Sequence, residues 1–510
     1  MKKLPPIVMS LVVLAALATP VARTLAAELP PPLVPWPQTL NLAQGTLPLT
    51  TRSRIVCQSP SLRPLAGILA EEIRLIAGLK LAVAADKPVQ SDLALAIDPG
   101  LAKEAYRLDV ADTARVAAGN YAAVALGTAT LLQSLAVRGG EVGLPRMSIR
   151  DAPQADFRGL MIDVARKYHS IESLKEMVEL CRLYKVRYLQ LHLTDDQAFT
   201  FPSRAYPQLN EKTEHGGKCY TLDALRDLVA YADARGVTII PEYEVPGHSA
   251  AANRALHDLF IIAHTKPYEH HASINFCKEE VMRAVATIVG EMCEVFKSSP
   301  YFHIGGDEAD LALADQNVDF RAAMKKYDLP NQHELYRQFL CRMDEIVKKH
   351  GKQMIVWEGF GRQGKVQIPK DIIVMSYEIR FYLPHELVND GYKVINASWT
   401  PLYVVNDNRR PLSEIYAWNL LQFKPFGAKA EEKGITVPRS DNVLGAQLCA
   451  WEQPERLELP NERLRVPAMI ERIWNPAAGK SYDDFARRLA CSDRLLDLLL
   501  HRSDRMPSRN

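Results

Sequence analysis

Two adjacent carboxylates follow a pair of glycines in Tyr301-Phe302-His303-Ile304-Gly305-Gly306-Asp307-Glu308. The YFHI run reads as a short strand. Glycines allow backbone dihedrals closed to other residues and let the chain approach a ligand closely. Neighbouring carboxylates repel, which pushes their pKa values apart, and acid/base work at neutral pH requires that separation. Taken alone, the pair also fits a solvated acidic turn. The rest of the chain decides between the two. Asp163, Asp195-Asp196, Glu242, Glu244, Trp357-Glu358, Tyr377-Glu378, Trp399 and Trp451-Glu452 stand at or near the ends of other apolar runs. Carboxylates serve as acid, base or hydroxyl acceptor, and flat aromatic faces pack against the apolar C–H face of a sugar ring. One tryptophan in such a place is usually packing. Repeated aromatic–acid pairs on one rim point to a carbohydrate site.

The elements that must position these groups alternate strand, loop and helix from Phe157 onward. Strands are expected at 159–165, 188–196, 237–244, 301–304, 353–359, 371–377, 393–398 and 443–451. Ser170 caps a helix whose apolar face carries Ile171, Leu174, Met177, Val178, Cys181 and Tyr184. A second helix starts at Thr221 and stops at Arg235-Gly236, and a third runs from Lys278 to Phe296. Near-continuous apolar strands alternating with helices predict a parallel sheet covered on its faces. Eight such units over roughly 300 residues favour a closed (β/α)8 TIM barrel over an open sheet, and such barrels carry their sites at the C-terminal strand ends. No Gly-rich phosphate loop follows the first strand, so the usual dinucleotide fingerprint is absent. Residues 400–440 read as a long loop with a short helix.

Upstream, the proline-rich LPPPLVPWP segment leads into short β-like runs at 47–50, 93–97 and 106–110, with helical patterns at 65–77 and 122–136. That is a small α+β domain without evident chemistry. Lys2 and Lys3 precede the apolar run Ile7–Ala18 and small residues follow, a signal-peptide pattern too short for a confident membrane span. The expected organisation is a signal peptide over 1–27, the α+β domain over 28–152, and the barrel with C-terminal helices over 153–510. The protein is expected to be exported, periplasmic or extracellular. A net charge of +2, from 62 basic and 60 acidic residues without long blocks, gives no nucleic-acid or membrane footprint. The eight cysteines lack zinc-site spacing and fit buried thiols better than a disulfide framework.

RGLMIDVAR (158–166), LHLTDDQ (191–197), IIPEYEVPGH (239–248), HIGGDE (303–308) and VWEG (356–359) resemble the catalytic barrel of glycoside hydrolase family 20, the β-N-acetylhexosaminidases. Residues 40–150 resemble the α+β domain that often precedes it. The resemblance implies an exo-acting, retaining enzyme without cofactor or metal, taking a glycan or amino-sugar substrate by substrate-assisted catalysis. Glu308 would be the general acid and Asp307 would hold the 2-acetamido group, whose carbonyl oxygen attacks the anomeric carbon to form an oxazolinium ion. His248 and Asp195 match a pair that tunes the acid. Arg158 matches a sugar-hydroxyl ligand, with a domain-junction salt bridge as the alternative. Trp357 and Trp451 match walls of an aromatic box, Tyr377 stands where a third tryptophan is usual, and Tyr403 matches a tyrosine that bonds the acetamido oxygen.

The chain departs from the family pattern in the C-terminal part of the barrel. Tyr403-Val404-Val405-Asn406-Asp407 stands for Tyr-x-Asp, and Trp451-Glu452-Gln453 for Trp-x-Glu. Asp407, Glu452, Arg409 or Arg410 are candidates to replace the lost hydroxyl ligands. Two other classes remain in view: a non-catalytic carbohydrate-binding barrel, and a metal-dependent hydrolase using His192, His303 and Asp307. The second would want a cluster such as His-x-His at one strand end, which the sequence lacks.

Overall fold

A computed structural model describes residues 30–500 apart from 212, 263–271, 312–315, 406–407 and 430–431. The proposed signal peptide and Asp407 therefore lie outside the described residues. Eight parallel strands close into a barrel: β1 (Phe157–Asp163), β2 (Tyr188–His192), β3 (Thr238–Glu242), β4 (Tyr301–His303), β5 (Gln353–Trp357), β6 (Ile373–Ser376), β7 (Lys393–Asn396) and β8 (Val443–Trp451). Each pairs with its sequence neighbour, and β8 pairs with both β7 and β1, which completes the ring. A bulge marks the β7–β8 seam between Val394 and Ile395. At that seam Gly445 has φ +153, and a Cβ there would lie 1.8 Å from the Phe157 carbonyl oxygen, so only glycine lets β8 close onto β1.

Most strands stop earlier than their apolar runs suggest, because the chain turns away at the rim and the last residues of each run become site residues. Helices surround the barrel where the 3.6-residue pattern puts them: Ile171–Leu183 with Ser170 accepting from the Ser173 N–H, Leu222–Asp233 with Thr221 accepting from the Ala224 N–H, and Glu279–Val295. Residues 400–440, expected to be a long loop with a short helix, also carry short strands. Tyr403–Val405 forms a short strand parallel to the end of β8, with Tyr403 opposite Cys449 and Val405 opposite Trp451. This adds Tyr403 to the rim, with its ring centroid 6.2 Å from that of Trp451.

The N-terminal unit is a mixed sheet with two helices, Arg63–Ala77 and Tyr121–Gln133. The second helix is apolar nearly all round, and eleven of its residues are buried between its own sheet and the barrel. Polar groups pin the junction: Gln133 Nε2 donates to the carbonyls of Val34 (2.8 Å) and Leu183 (3.0 Å), and Trp474 Nε1 donates to Asp151 (2.9 Å). All eight cysteines are free thiols; Cys57, Cys181, Cys293 and Cys449 are buried, and Cys491 is exposed.

Arg158 corrects one expectation. It is the second residue of β1, at the end of the barrel opposite the carboxylates, and its side chain is fully buried. Its guanidinium donates to Glu104 (2.8 Å) and to the carbonyls of Ala155 (2.7 Å) and Lys185 (3.1 Å), and lies over the Trp474 ring. It is the domain-junction ion pair. Strand direction alone keeps it away from any substrate at the C-terminal rim.

Candidate active site

After β4 the chain takes positive φ at Gly305 (+67), Gly306 (+93) and Glu308 (+46). Three neighbours hold this turn. Glu244 Oε1 accepts the Gly306 N–H at 2.8 Å, the Trp357 N–H donates to the Gly305 carbonyl at 2.8 Å, and the Tyr336 hydroxyl donates to the Gly306 carbonyl. A Cβ on Gly305 would fall 1.8–2.1 Å from the Glu244 carboxylate. Gly305→Ala is therefore expected to destabilise the fold by about 2–5 kcal/mol, combining a left-handed alanine with loss of the bond to the buried Gly306 N–H. A fall in thermal midpoint checks this; an unchanged midpoint would show that the turn adapts.

The turn delivers the two carboxylates unequally. The Asp307 side chain is 12% exposed and that of Glu308 38%. His248 Nε2 lies 3.4 Å from Glu308 Oε2 and 3.9 Å from Asp307 Oδ2, so both acids face the same imidazole nitrogen. The other ring nitrogen, Nδ1, lies 3.3 Å from Asp195 Oδ1 and 3.7 Å from Asp196. Burial disfavours the imidazolium of His248, but Asp195, Asp196 and Glu308 outweigh it and hold its pKa well above the ordinary value. Burial, together with the charges of Glu308 and Glu242, raises the Asp307 pKa against the opposing pull of His248. Asp307 Oδ1 has no hydrogen-bond partner among the described residues.

Beside this pair the barrel axis opens into an aromatic well. Trp357 and Trp451 have ring centroids 5.9 Å apart, Trp357 meets Tyr377 edge-on at 5.5 Å, and Tyr377 and Tyr403 are near-parallel at 6.3 Å. Trp399 stacks on the outer side of Tyr403 at 4.4 Å. The Tyr377 hydroxyl is buried without a partner among the described residues. The predicted Trp357, Tyr377, Tyr403 and Trp451 thus come together, as do Glu308, Asp307, His248 and Asp195. The separation is one of chemistry: acids on one wall, flat apolar faces on the others.

Arg166, eight residues beyond Arg158 in the same motif, is what the sequence reading passed over. It follows β1 at the C-terminal rim, donates to Asp163 (3.1 Å) and Asp195 (2.7 Å), and lies 5.1 Å over the Trp451 ring. The signal was available, because a residue at the end of a strand faces the site and one at its start does not. Glu452 has φ +56 and donates its N–H to Asp163 at 3.3 Å, which keeps it at the rim near Arg166. Gln453 turns inward instead: it donates to the Trp451 carbonyl (2.8 Å) and accepts from Asn461 (2.6 Å), bracing the strand end. Arg409 reaches Asn461 at 3.4 Å, and Arg410 donates to Thr400 at 3.3 Å. Glu358 is buried, and Ser376 and the N–H groups of Ile379, Arg380 and Phe381 all donate to it, so it shapes the turn after β6. His192 has both ring nitrogens against carboxylates, Asp195 at 2.7 Å and Glu242 at 2.8 Å. Burial opposes its protonation, but these partners raise its pKa to about 10.

A (β/α)8 barrel with paired carboxylates beside clustered aromatic rings at its C-terminal rim has the makings of a glycoside hydrolase. Sequence comparison fixes which kind. The family model "Glycosyl hydrolase family 20, catalytic domain" matches residues 156–477, and that for "domain 2" of the family matches 30–152. The chain belongs to glycosyl hydrolase family 20. It is 28% identical to a beta-hexosaminidase of Porphyromonas gingivalis over 501 residues, covering 90% of this chain and 62% of that protein. A Vibrio furnissii beta-hexosaminidase is likewise 28% identical, with 88% and 76% covered. Among solved structures, the GH20 exo β-N-acetylglucosaminidase of Vibrio harveyi in complex with N-acetylglucosamine is similar with a TM-score of 0.78 at 25% identity, covering 92% of this chain and 77% of that one.

Proposed function

We propose that this chain is an exported, exo-acting, retaining β-N-acetylhexosaminidase that uses the substrate's own acetamido group as nucleophile. The observation that carries the mechanism is the shared contact of Asp307 and Glu308 with His248 Nε2, at 3.9 and 3.4 Å. A retaining enzyme with a carboxylate nucleophile needs its two carboxyl groups about 5–5.5 Å apart, flanking the scissile bond from opposite sides. Asp307 and Glu308 instead leave one turn side by side and meet one imidazole nitrogen, which supports a nucleophile supplied by the substrate. Glu308, the more exposed, protonates the glycosidic oxygen. Asp307, buried and with a vacant Oδ1, accepts the acetamido N–H and opposes the positive charge of the oxazolinium ion. The clustered rings of Trp357, Tyr377, Tyr403 and Trp451 offer flat apolar faces suited to an acetamido methyl. Arg166 and Glu452 are the rim groups suited to sugar hydroxyls, with Asp163 buried behind them and holding both in place. Export rests on the charged and apolar pattern of residues 1–27.

A panel of aryl N-acetyl-β-glucosaminides and galactosaminides, with and without 6-O-substituents, tests the reading. Chromophore release is expected, with the β-anomer appearing first by NMR, and a thiazoline analogue of the oxazolinium ion is expected to compete with substrate. Folded protein that binds N-acetylhexosamine but turns over none of the panel would instead favour a carbohydrate-binding barrel. Turnover indifferent to the thiazoline would require another nucleophile.

A further inference from the structure

Glu242 ends β3 on the barrel axis and is fully buried beneath the two site acids. Its Oε1 accepts the Trp357 indole N–H at 2.7 Å and lies 3.1 Å from His303 Nδ1. Its Oε2 accepts from Gln190 Nε2 at 2.8 Å and lies 2.8 Å from His192 Nδ1. His192 Nε2 in turn lies 2.7 Å from Asp195 Oδ2, and the other oxygen of Asp195 faces His248. One carboxylate therefore touches the first wall of the acetamide well and the base of the chain that ends at Glu308.

We propose that Glu242 is a positioning residue that couples the acetamide well to the proton relay, one oxygen fixing Trp357 and the other fixing His192 and, through it, Asp195 and His248. The proposal rests on the reading of the site as a β-N-acetylhexosaminidase. Its chemical sense is geometric. Acetamide attack and protonation of the leaving oxygen occur on one sugar ring, so the wall that seats the acetamide and the acid that delivers the proton must be held in fixed relation. Burial disfavours charge on both members of the pair, yet each stabilises the ionised form of the other: His192 is raised to about 10 and Glu242 is held well below the usual carboxylate range. An imidazolium at His192 would present an N–H to Asp195 on one side and to Glu242 on the other. Besides Asp195, the titratable groups facing this pair are Asp163, Glu244, His303, Asp307, Tyr403 and Cys449.

Glu242→Gln keeps the volume and one acceptor oxygen for Trp357 but removes the charge that keeps His192 protonated. In the wild type, ¹⁵N-histidine NMR is expected to show His192 as imidazolium at pH 8; in Glu242→Gln it should titrate near neutrality. The variant's kcat/KM should gain a matching ionisation, with activity at pH 8 falling at least tenfold further below that at pH 5.5 than in the wild type. Glu242→Leu should in addition weaken thiazoline binding at least tenfold, since Trp357 loses its acceptor. A uniform loss of kcat with wild-type pH dependence and inhibitor affinity would mark a merely structural residue and overturn the proposal. So would a neutral His192 at pH 8 in the wild type, an outcome readable even if neither variant folds. If the wild type turns over no N-acetylhexosaminide, the functional reading fails separately, while the histidine spectrum still decides whether Glu242 holds His192 charged.

Discussion

Glu308→Gln is expected to lower kcat/KM on a nitrophenyl N-acetyl-β-glucosaminide by about 10²–10⁴-fold, the usual range for loss of a general acid. Glutamine keeps the shape of the side chain and its left-handed backbone position, so the loss reports the proton alone. The dependence on leaving group is the sharper test. A dinitrophenolate departs without protonation, and kcat/KM reports only the steps up to the first irreversible one. Its loss should therefore be much smaller than that of the nitrophenyl glycoside. The alkaline limb of kcat/KM, set in the wild type by deprotonation of the acid, should flatten. An equal loss on both glycosides would place Glu308 outside proton transfer, and the partner that His248 meets at 3.4 Å would need another role.

The parts of this arrangement that were legible in sequence are those where a strand end and a special backbone coincide. Gly305-Gly306 announced a turn that no side chain could occupy, and the structure fills the vacated space with the Glu244 carboxylate. The eight apolar runs fixed the barrel because parallel strands covered on both faces need uninterrupted hydrophobicity. Arg158 misled because residue type was weighed without strand direction; Arg166, one strand length further on, faces the rim. Glu242 was legible as a strand-end carboxylate but not as the partner of two histidines and an indole, since Gln190, His192, His303 and Trp357 come from three other strands. Tyr403–Val405 escaped because three residues carry too little periodicity, and its partner is the far end of β8 rather than a neighbour in sequence. Gln453 could not be read at all: whether its amide grips a sugar or braces Asn461 depends on a helix that begins only after it.

Asp307→Asn carries the other large expected effect, a loss in kcat of about 10²–10³-fold, the range for removing one group aimed at developing charge. Its side chain is nearly closed to solvent, and Oδ1 has no hydrogen-bond partner among the described residues, so in the proposed mechanism the carboxylate would meet the acetamido N–H without first giving up another bond. Asparagine can still accept that N–H through its own carbonyl, and ground-state binding should change little. What it cannot do is oppose the positive charge that spreads over the oxazolinium ring. Burial raises the Asp307 pKa, with Glu308 and Glu242 adding to it. Since the anion is the working form, the wild-type acid limb of kcat/KM should lie above the ordinary aspartate value, and the variant should lack it. Thiazoline affinity should fall in parallel with kcat, because the inhibitor carries the same charge distribution as the intermediate. The alternative, Asp307 as a covalent nucleophile, predicts that azide added to Asp307→Ala yields a glycosyl azide of inverted configuration. With the acetamido group as nucleophile, azide enters only after the oxazolinium ion has formed, from the face the leaving group vacated, and the product keeps the β configuration.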